Sequence, residues 1–286
     1  MAVRIVTDSA SGVSDADCQR LSIATVPLHV LVGGRAVPES QLREPEFYTR
    51  LAAMPVLPST SQPSPEEFGE VFRRTLDEGH DVLAVLISAG MSGTVRSAEL
   101  ALTALESERP DVRIEVLDSR SNSLEEGFAV LSAAEAAFGG APLDECRRAA
   151  EETMRRTRFL FTPKSLEYLR RGGRISRASA LASVMLKIAP ILTAQDGTTG
   201  VAGVARSGRS ARAKIAALMR DDIERCGLER AAVQYIADQE AAVRFAAEVV
   251  EPMTGGPVPI VPIHPVVGLH VGPAVGVVYE TAEPLR

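Results

Sequence analysis

The chain has 286 residues, 45% of them hydrophobic and 24% charged, which is enough apolar side chain for a packed core and excludes a disordered or fibrous protein. Lys and Arg number 31 against 37 for Asp and Glu, and the formal charge of -6 argues against a basic face for nucleic acid. Aromatic residues make up only 4%, without a single Trp, so base-stacking platforms are scarce and a pocket is expected to be aliphatic.

At roughly 100–200 residues per domain the length predicts two domains. Val3 to Thr7 reads as a β-branched strand that stops at the polar cluster Asp8-Ser9-Ala10-Ser11-Gly12. Leu21 to Val32 is a second extended stretch turning at Gly33-Gly34, and a short helix is predicted over Glu44 to Met54. Four prolines between Pro55 and Pro65 surround Ser59-Thr60-Ser61-Gln62-Pro63-Ser64 and forbid a continuous helix, which predicts a rigid, hydroxyl-rich loop. Then follow helix (Glu66 to Glu78), strand (Val82 to Ile87), loop (Ser88 to Gly93), helix (Thr94 to Ser107), strand (Val112 to Leu117) and helix (Asn122 to Phe138).

This alternation implies an N-terminal α/β domain, a parallel sheet with helices on both faces, whose ligands bind beyond the carboxyl ends of the strands. The loops Asp8 to Gly12, Ser88 to Thr94 and Asp118 to Ser123 all follow predicted strands, and with the Thr60 loop they are expected to converge on one site. Gly139-Gly140-Ala141-Pro142 breaks the pattern before a helix over Leu143 to Thr157, which puts the domains at 1–155 and 156–286.

The C-terminal domain, also α/β, opens with a strand at Phe159 to Phe161 and helices around Lys164 to Arg171 and Arg177 to Leu186. A hairpin joins Ile188 to Ala194 with Gly200 to Arg206 across Asp196-Gly197. Helix Ser210 to Cys226, strand Ala231 to Ala237 and helix Glu240 to Val250 come next, and strands Val258 to Ile263 and Val275 to Tyr279 flank the segment His264 to His270.

Three scattered cysteines, Cys18, Cys146 and Cys226, have no CxxC spacing and read as reduced thiols of a cytoplasmic protein. The first residues enter a strand pattern without the apolar run of a signal peptide, and no stretch approaches the ~20 apolar residues of a membrane span. The four histidines form no ligand cluster, so no metal site is expected. There is neither a GxxxxGK[ST] loop nor a GxGxxG turn, so no nucleotide cofactor is expected either.

Two readings of the hydroxyls stand. Ser92, Asp118 and His270 occur in the chain order of an α/β-hydrolase triad, but Gly90-Met91-Ser92-Gly93-Thr94 puts Thr where the G-x-S-x-G elbow has its last Gly. A Ser92-dependent esterase or lipid hydrolase is therefore the alternative. In the other reading Thr60, Ser61 and Ser92 are neutral donors for a buried carboxylate, with His270 adding a ring N–H. Thr60 and Ser92 are equally consistent with capping the helices after them, and His270 with a core histidine. Arg170-Arg171-Gly172-Gly173-Arg174-Ile175-Ser176-Arg177 holds four arginines, either a solvated helix end or a docking patch for an acidic partner or phosphate, with Arg206 and Arg209 as additions.

Taken in order, Thr7-Asp8-Ser9, Thr60-Ser61-Gln62-Pro63-Ser64, Ser92-Gly93-Thr94 with Ser97-Ala98, and Leu166-Glu167-Tyr168-Leu169-Arg170-Arg171-Gly172-Gly173-Arg174-Ile175 form a specific set. Pro190-Ile191-Leu192, Asp196-Gly197 and His270-Val271-Gly272-Pro273 complete it, and nearly end to end the chain resembles the DegV family of bacterial fatty-acid-binding proteins. The resemblance implies a two-domain α/β protein without catalytic residues, holding one long-chain fatty acid between its domains and presenting it to a separate ATP-dependent fatty acid kinase for phospholipid synthesis. It makes Thr60 and Ser92 the carboxylate contacts, with Ser61 and His270 as neighbours, and assigns Arg171, Arg174 and Arg206 to partner docking or head-group support. Three positions depart from the family pattern: Ala274 replaces a Gly after Gly272-Pro273, Met91 replaces Leu before Ser92, and Thr162-Pro163-Lys164 replaces acidic residues before Leu166.

Overall fold

The computed structural model describes residues 2–42, 47–48, 51, 54, 57–181 and 188–285. The chain divides into two compact units, one of residues 1–41 and 60–154, the other of 42–59 and 155–286. Segment 42–59 therefore goes with the second unit, whereas the sequence pattern groups it with the first. Its attachment is physical: the Tyr48 hydroxyl donates to the Ile263 carbonyl at 2.9 Å, and the Tyr48 ring lies where a side chain on Gly268 would be. The helix expected over Glu44 to Met54 falls largely outside the described residues, as does the end of the one expected over Arg177 to Leu186.

The first unit holds β1 (Ala2–Asp8), α1 (Asp15–Arg20), β2 (Ala24–Val26), β3 (His29–Val32), β4 (Arg35–Pro38), β5 (Ser59–Ser61), α2 (Pro65–Asp77) and β6 (His80–Leu86). It continues with α3 (Thr94–Glu108), β7 (Ile114–Asp118), α4 (Ser123–Phe138) and α5 (Leu143–Arg156). Its main sheet is parallel, in the order β2-β1-β6-β7. The side-chain period of two sends Val3, Ile5, Leu83 and Val85 to a core with α4 and α5. Val6, Val82, Ala84 and Leu86 pack on the other face against Phe68 and Phe72 of α2 and Ala98, Ala101 and Leu105 of α3. The hydroxyl-rich segment is not wholly a loop, because β5 joins β3 in a small sheet ordered β4-β3-β5.

The second unit contains β8 (Thr157–Pro163), α6 (Glu167–Arg171), a 3-10 turn (Ser176–Leu181), β9 (Ala189–Gln195), β10 (Thr198–Ala205), α7 (Gly208–Cys226) and β11 (Arg230–Ile236). Next come α8 (Gln239–Phe245), a π-helical turn (Ala246–Val250), α9 (Glu251–Thr254), β12 (Ile260–Pro262), α10 (Pro265–Val271) and β13 (Ala274–Glu280). The six-stranded sheet runs β10-β9-β8-β13-β11-β12 and is antiparallel except between β11 and β12. Asp196 and Gly197 turn the β9-β10 hairpin with φ of 50° and 75°, the left-handed pair that matches strand twist. The segment His264 to His270 is α10 rather than a bare link between strands, because Pro265 opens a helical turn after His264. Ala274 takes an ordinary strand position at the start of β13, buried opposite Ile236 and Pro163, so the extra methyl is absorbed by the sheet.

Helices α7 and α8 cover one face of this sheet through Ala211, Ile215, Met219 and Phe245 packed on Leu160, Val233, Val275, Val277 and Tyr279. Within that core Asp222 accepts from Tyr279 Oη at 2.6 Å and from Arg158 Nη1 at 2.8 Å. A buried charge is tolerable only when its lone pairs are matched in this way. Tyr279→Phe removes one charge-assisted bond and is expected to cost about 1.5–3 kcal/mol in urea denaturation. An unchanged midpoint would show that Arg158 and Arg225, which bonds the other oxygen, satisfy Asp222 without the phenol.

Candidate functional site

Four polar segments of the first unit meet at the carboxyl edge of its parallel sheet. Asp8 ends β1 with its carboxylate buried, accepting from Ala10 N at 2.8 Å and from Ile87 N, just beyond β6, at 2.7 Å. The β6 loop is bound to the β7 loop, since Ser88 N donates to Ser121 O at 2.8 Å and Ala89 N to Asp118 Oδ1 at 3.2 Å. Asn122 Nδ2 donates to Met91 Sδ at 3.3 Å, beside Ser92. The β5 segment reaches the same loop through Gln62, whose Nε2 lies 2.9 Å from the point a Cβ on Gly93 would occupy. Thr60, Ser61 and Ser92 are all half-buried.

Capping does not explain these hydroxyls. Ser64, not Thr60, caps α2, in a reciprocal capping box with Glu67 and with Pro65 at the first helical position. Gly93 is the N-cap of α3 and offers no side-chain bond, so the first N–H groups of a 15-residue helix open beside Ser92 without a side-chain acceptor. Ser92 Oγ lies 2.8 Å from Thr94 Oγ1. Its side-chain partner is thus another hydroxyl rather than the imidazole that a serine nucleophile needs.

The second unit assembles the other named residues. Helices α6 and α10 pack on each other, bringing the arginine segment to His270. The His270 ring occupies the space a side chain on Gly172 would fill, and Arg174 Nη1 donates to Gly172 O at 2.6 Å. Burial, and secondarily the charge of Arg174, push the His270 pKa down to about 4, so the ring is neutral near pH 7. Arg171 is exposed and shares Glu167 with Arg170, at 2.7 Å from Nε to Oε1, and these bonds hold the Glu167 carboxyl down at about 2. Arg206 stands elsewhere, between β10 and α7, on a cleft that includes neither Arg171 nor Arg174.

Among the described residues no group of three His, Cys, Asp or Glu side chains is placed to hold a metal ion, and no helix is long and apolar enough to cross a membrane. The DegV family model, described as "Uncharacterised protein, DegV family", matches residues 2–282. The chain belongs to the DegV family. This DegV-family chain is 38% identical over 287 residues to a DegV domain-containing protein of Clostridium acetobutylicum, with 100% of both chains covered. It is 32% identical to a fatty-acid-binding DegV family protein of Thermus thermophilus, with a TM-score of 0.85 over 98% of this chain and 100% of that one. A stearic-acid-binding protein of Eubacterium ventriosum gives 26% identity and a TM-score of 0.88 over 98% of each.

Sequence reasoning on this DegV-family chain missed Gln62, Asn122 and the carboxyls beneath the loops. Glu126 on α4 is fully buried, with Oε1 3.4 Å from Thr7 Oγ1, whose own proton points to the Val85 carbonyl 2.9 Å away. One hydroxyl has one proton, so the Glu126 contact is best satisfied when the carboxyl is protonated and donates to Thr7. Burial and then the charge of Asp8 push the Glu126 pKa well up in agreement, and burial likewise raises Asp8 to about 7. No local sequence signal marks such a group, because its neutrality depends on strands that meet only in the fold.

The signs of these shifts oppose one another. Asp8 and Glu126 hold protons more tightly in the folded chain, so their stabilisation is complete below the ordinary carboxyl range and is lost as pH rises, through about 7 for Asp8 and well above the ordinary carboxyl range for Glu126. His270 holds its proton less tightly, so its contribution is present above about 6.5 and is lost as pH falls toward about 4. Glu126→Gln, which mimics the neutral acid, is expected to flatten the alkaline limb of a urea-midpoint-against-pH curve, and His270→Gln the acid limb. Curves parallel to that of the parent chain would refute both assignments.

Proposed function

We propose that this DegV-family protein binds one long-chain fatty acid non-catalytically and presents it to a separate ATP-dependent fatty acid kinase. In this reading Thr60, Ser61 and Ser92 hold the carboxylate, and His270 supplies a neutral ring N–H to the head group. The observation that supports it is the Ser92–Thr94 hydroxyl pair at the uncapped α3 N-terminus, with Gln62 of the Thr60 segment packed against Gly93 and Ser64 rather than Thr60 capping α2. Hydroxyls and helix N–H groups are what a carboxylate requires when it leaves water. The fatty-acid-binding relatives from T. thermophilus and E. ventriosum support the ligand class.

Magnitudes divide the labour. Burying ~14 methylenes at about 0.8 kcal/mol each offers about 11 kcal/mol gross before ordering costs. Hydrogen bonds to the carboxylate mainly replace those it made with water, so they fix polarity and position rather than affinity. Arg171, Arg174 and Arg206 are assigned to partner docking or head-group support, and charge-reversing Arg171→Glu with Arg174→Glu is expected to cut acyl-phosphate formation by the kinase. Normal turnover with that variant would remove the docking role.

Native mass spectrometry of protein purified without added lipid is expected to show one co-bound long-chain acid. A clean apo mass, together with no uptake of oleate or palmitate, would overturn the proposal. Thr60→Ala with Ser92→Ala is expected to weaken oleate binding by roughly tenfold or more without unfolding the chain. A fluorophosphonate probe separates the esterase alternative: no labelling is expected, and labelling abolished by Ser92→Ala would favour the enzyme.

A further inference from the structure

The second unit contains a cleft of about 520 Å³, and of its lining residues the fatty-acid reading uses Arg206 alone. It is bounded by the end of β8, the starts of β9 and β13, the first residues of α7 and one side of α8. Among its described lining residues the charges are unbalanced: Lys164, Arg206, Arg212 and Arg244 stand against Asp238 and Glu248. Asp238 is already committed, to Lys164 Nζ at 2.8 Å and to the N–H of Ala241 at 3.1 Å. Arg244 pairs outside the lining with Glu240. Among the described residues Arg206 and Arg212 have no ion-pair partner, and Arg212 is half-buried.

The placement of Arg212 indicates what would complete the cleft. Its Nη1 lies 3.7 Å from the point a Cβ on Gly208 would occupy, which folds the guanidinium back over the first turn of its own 19-residue helix. A cation there opposes the positive end of the helix dipole, an arrangement that an anion between them turns from repulsive to attractive. Ser207 Oγ is occupied in a reciprocal capping box with Ser210, whereas the N–H groups of Gly208 and Arg209 are the helix's first two and have no intrahelical acceptor. Two planar guanidiniums and two amides match an oxyanion with several oxygens and more than one charge, while a monocarboxylate would fill one guanidinium fork. Among the described lining residues the one aromatic side chain, Phe245, is 2% exposed and belongs to the core, so none of them presents a ring to a nucleobase.

We propose that this cleft binds a small soluble phosphoryl anion, a phosphate ester or diphosphate, through Arg206, Arg212 and the start of α7. The site is distinct from the hydroxyl cluster and is lined wholly by the second unit. Inorganic pyrophosphate titrated into the full-length chain at constant ionic strength, followed by calorimetry, is the test. Saturable one-site binding is expected with a dissociation constant below about 1 mM, weakened by roughly tenfold or more in Arg212→Gln and unchanged in Arg96→Gln, an exposed arginine of the first unit. Arg206→Gln provides the same reading should Arg212→Gln fail to fold. No saturation by about 10 mM pyrophosphate, or equal affinity in parent and cleft variants, would overturn the proposal.

Discussion

The carboxyl of Asp8 sits at a junction on which the first unit's polar edge depends. It is inaccessible to solvent, and its two oxygens bridge the end of β1 to the residue after β6. A parallel sheet has no hairpins to hold its strand ends in register, since each crossover is a helix away. A side chain that accepts from one strand's exit turn and from the next strand's last amide supplies the missing cross-link. The cost is a buried acid beside Glu39 and Glu126, and protonation of Glu126 keeps that cost bearable by leaving fewer charges in one apolar space.

The second unit solves the same problem differently. Its antiparallel ladder fixes register through direct neighbours, and acids enter only as fully matched bridges. Asp222 joins α7 to β8 and β13, while Glu280 accepts from Arg156 Nη2 at 2.9 Å and Arg230 Nε at 2.7 Å. These carboxylates meet guanidiniums, whereas those under the hydroxyl loops meet amides, hydroxyls and each other. The first set is paired with fixed cations. The second set remains sensitive to protons.

Periodicity made most elements legible. Val82 to Ile87 and Thr94 to Ser107 differ from β6 and α3 by a residue or two, because alternating and 3.6-residue apolar patterns follow directly from which face is buried. The convergence of the loops followed as well, since strands of a parallel sheet all discharge their loops at one edge. Illegible were the features set by tertiary contact. Val266-Val267-Gly268-Leu269 carries no polar alternation to betray a helix, and β5 becomes a strand only because β3 offers it an edge. Gly172 carries no local signal in the sequence, yet its missing side chain is the space that His270 occupies.

The hydroxyl cluster itself is constrained by proton counting. Ser92 and Thr94 face each other at 2.8 Å and own two protons between them, one of which their mutual bond consumes. The pair therefore offers one outward donor, which either residue can supply by rotating its hydroxyl. An anion at the start of α3 meets that donor and the helix's first N–H groups, all neutral, so its charge is stabilised without a salt bridge. A formal ion pair at this edge would bring a cation close to Asp8 and Glu126 and draw the proton off both. Neutral donors leave the buried acids undisturbed.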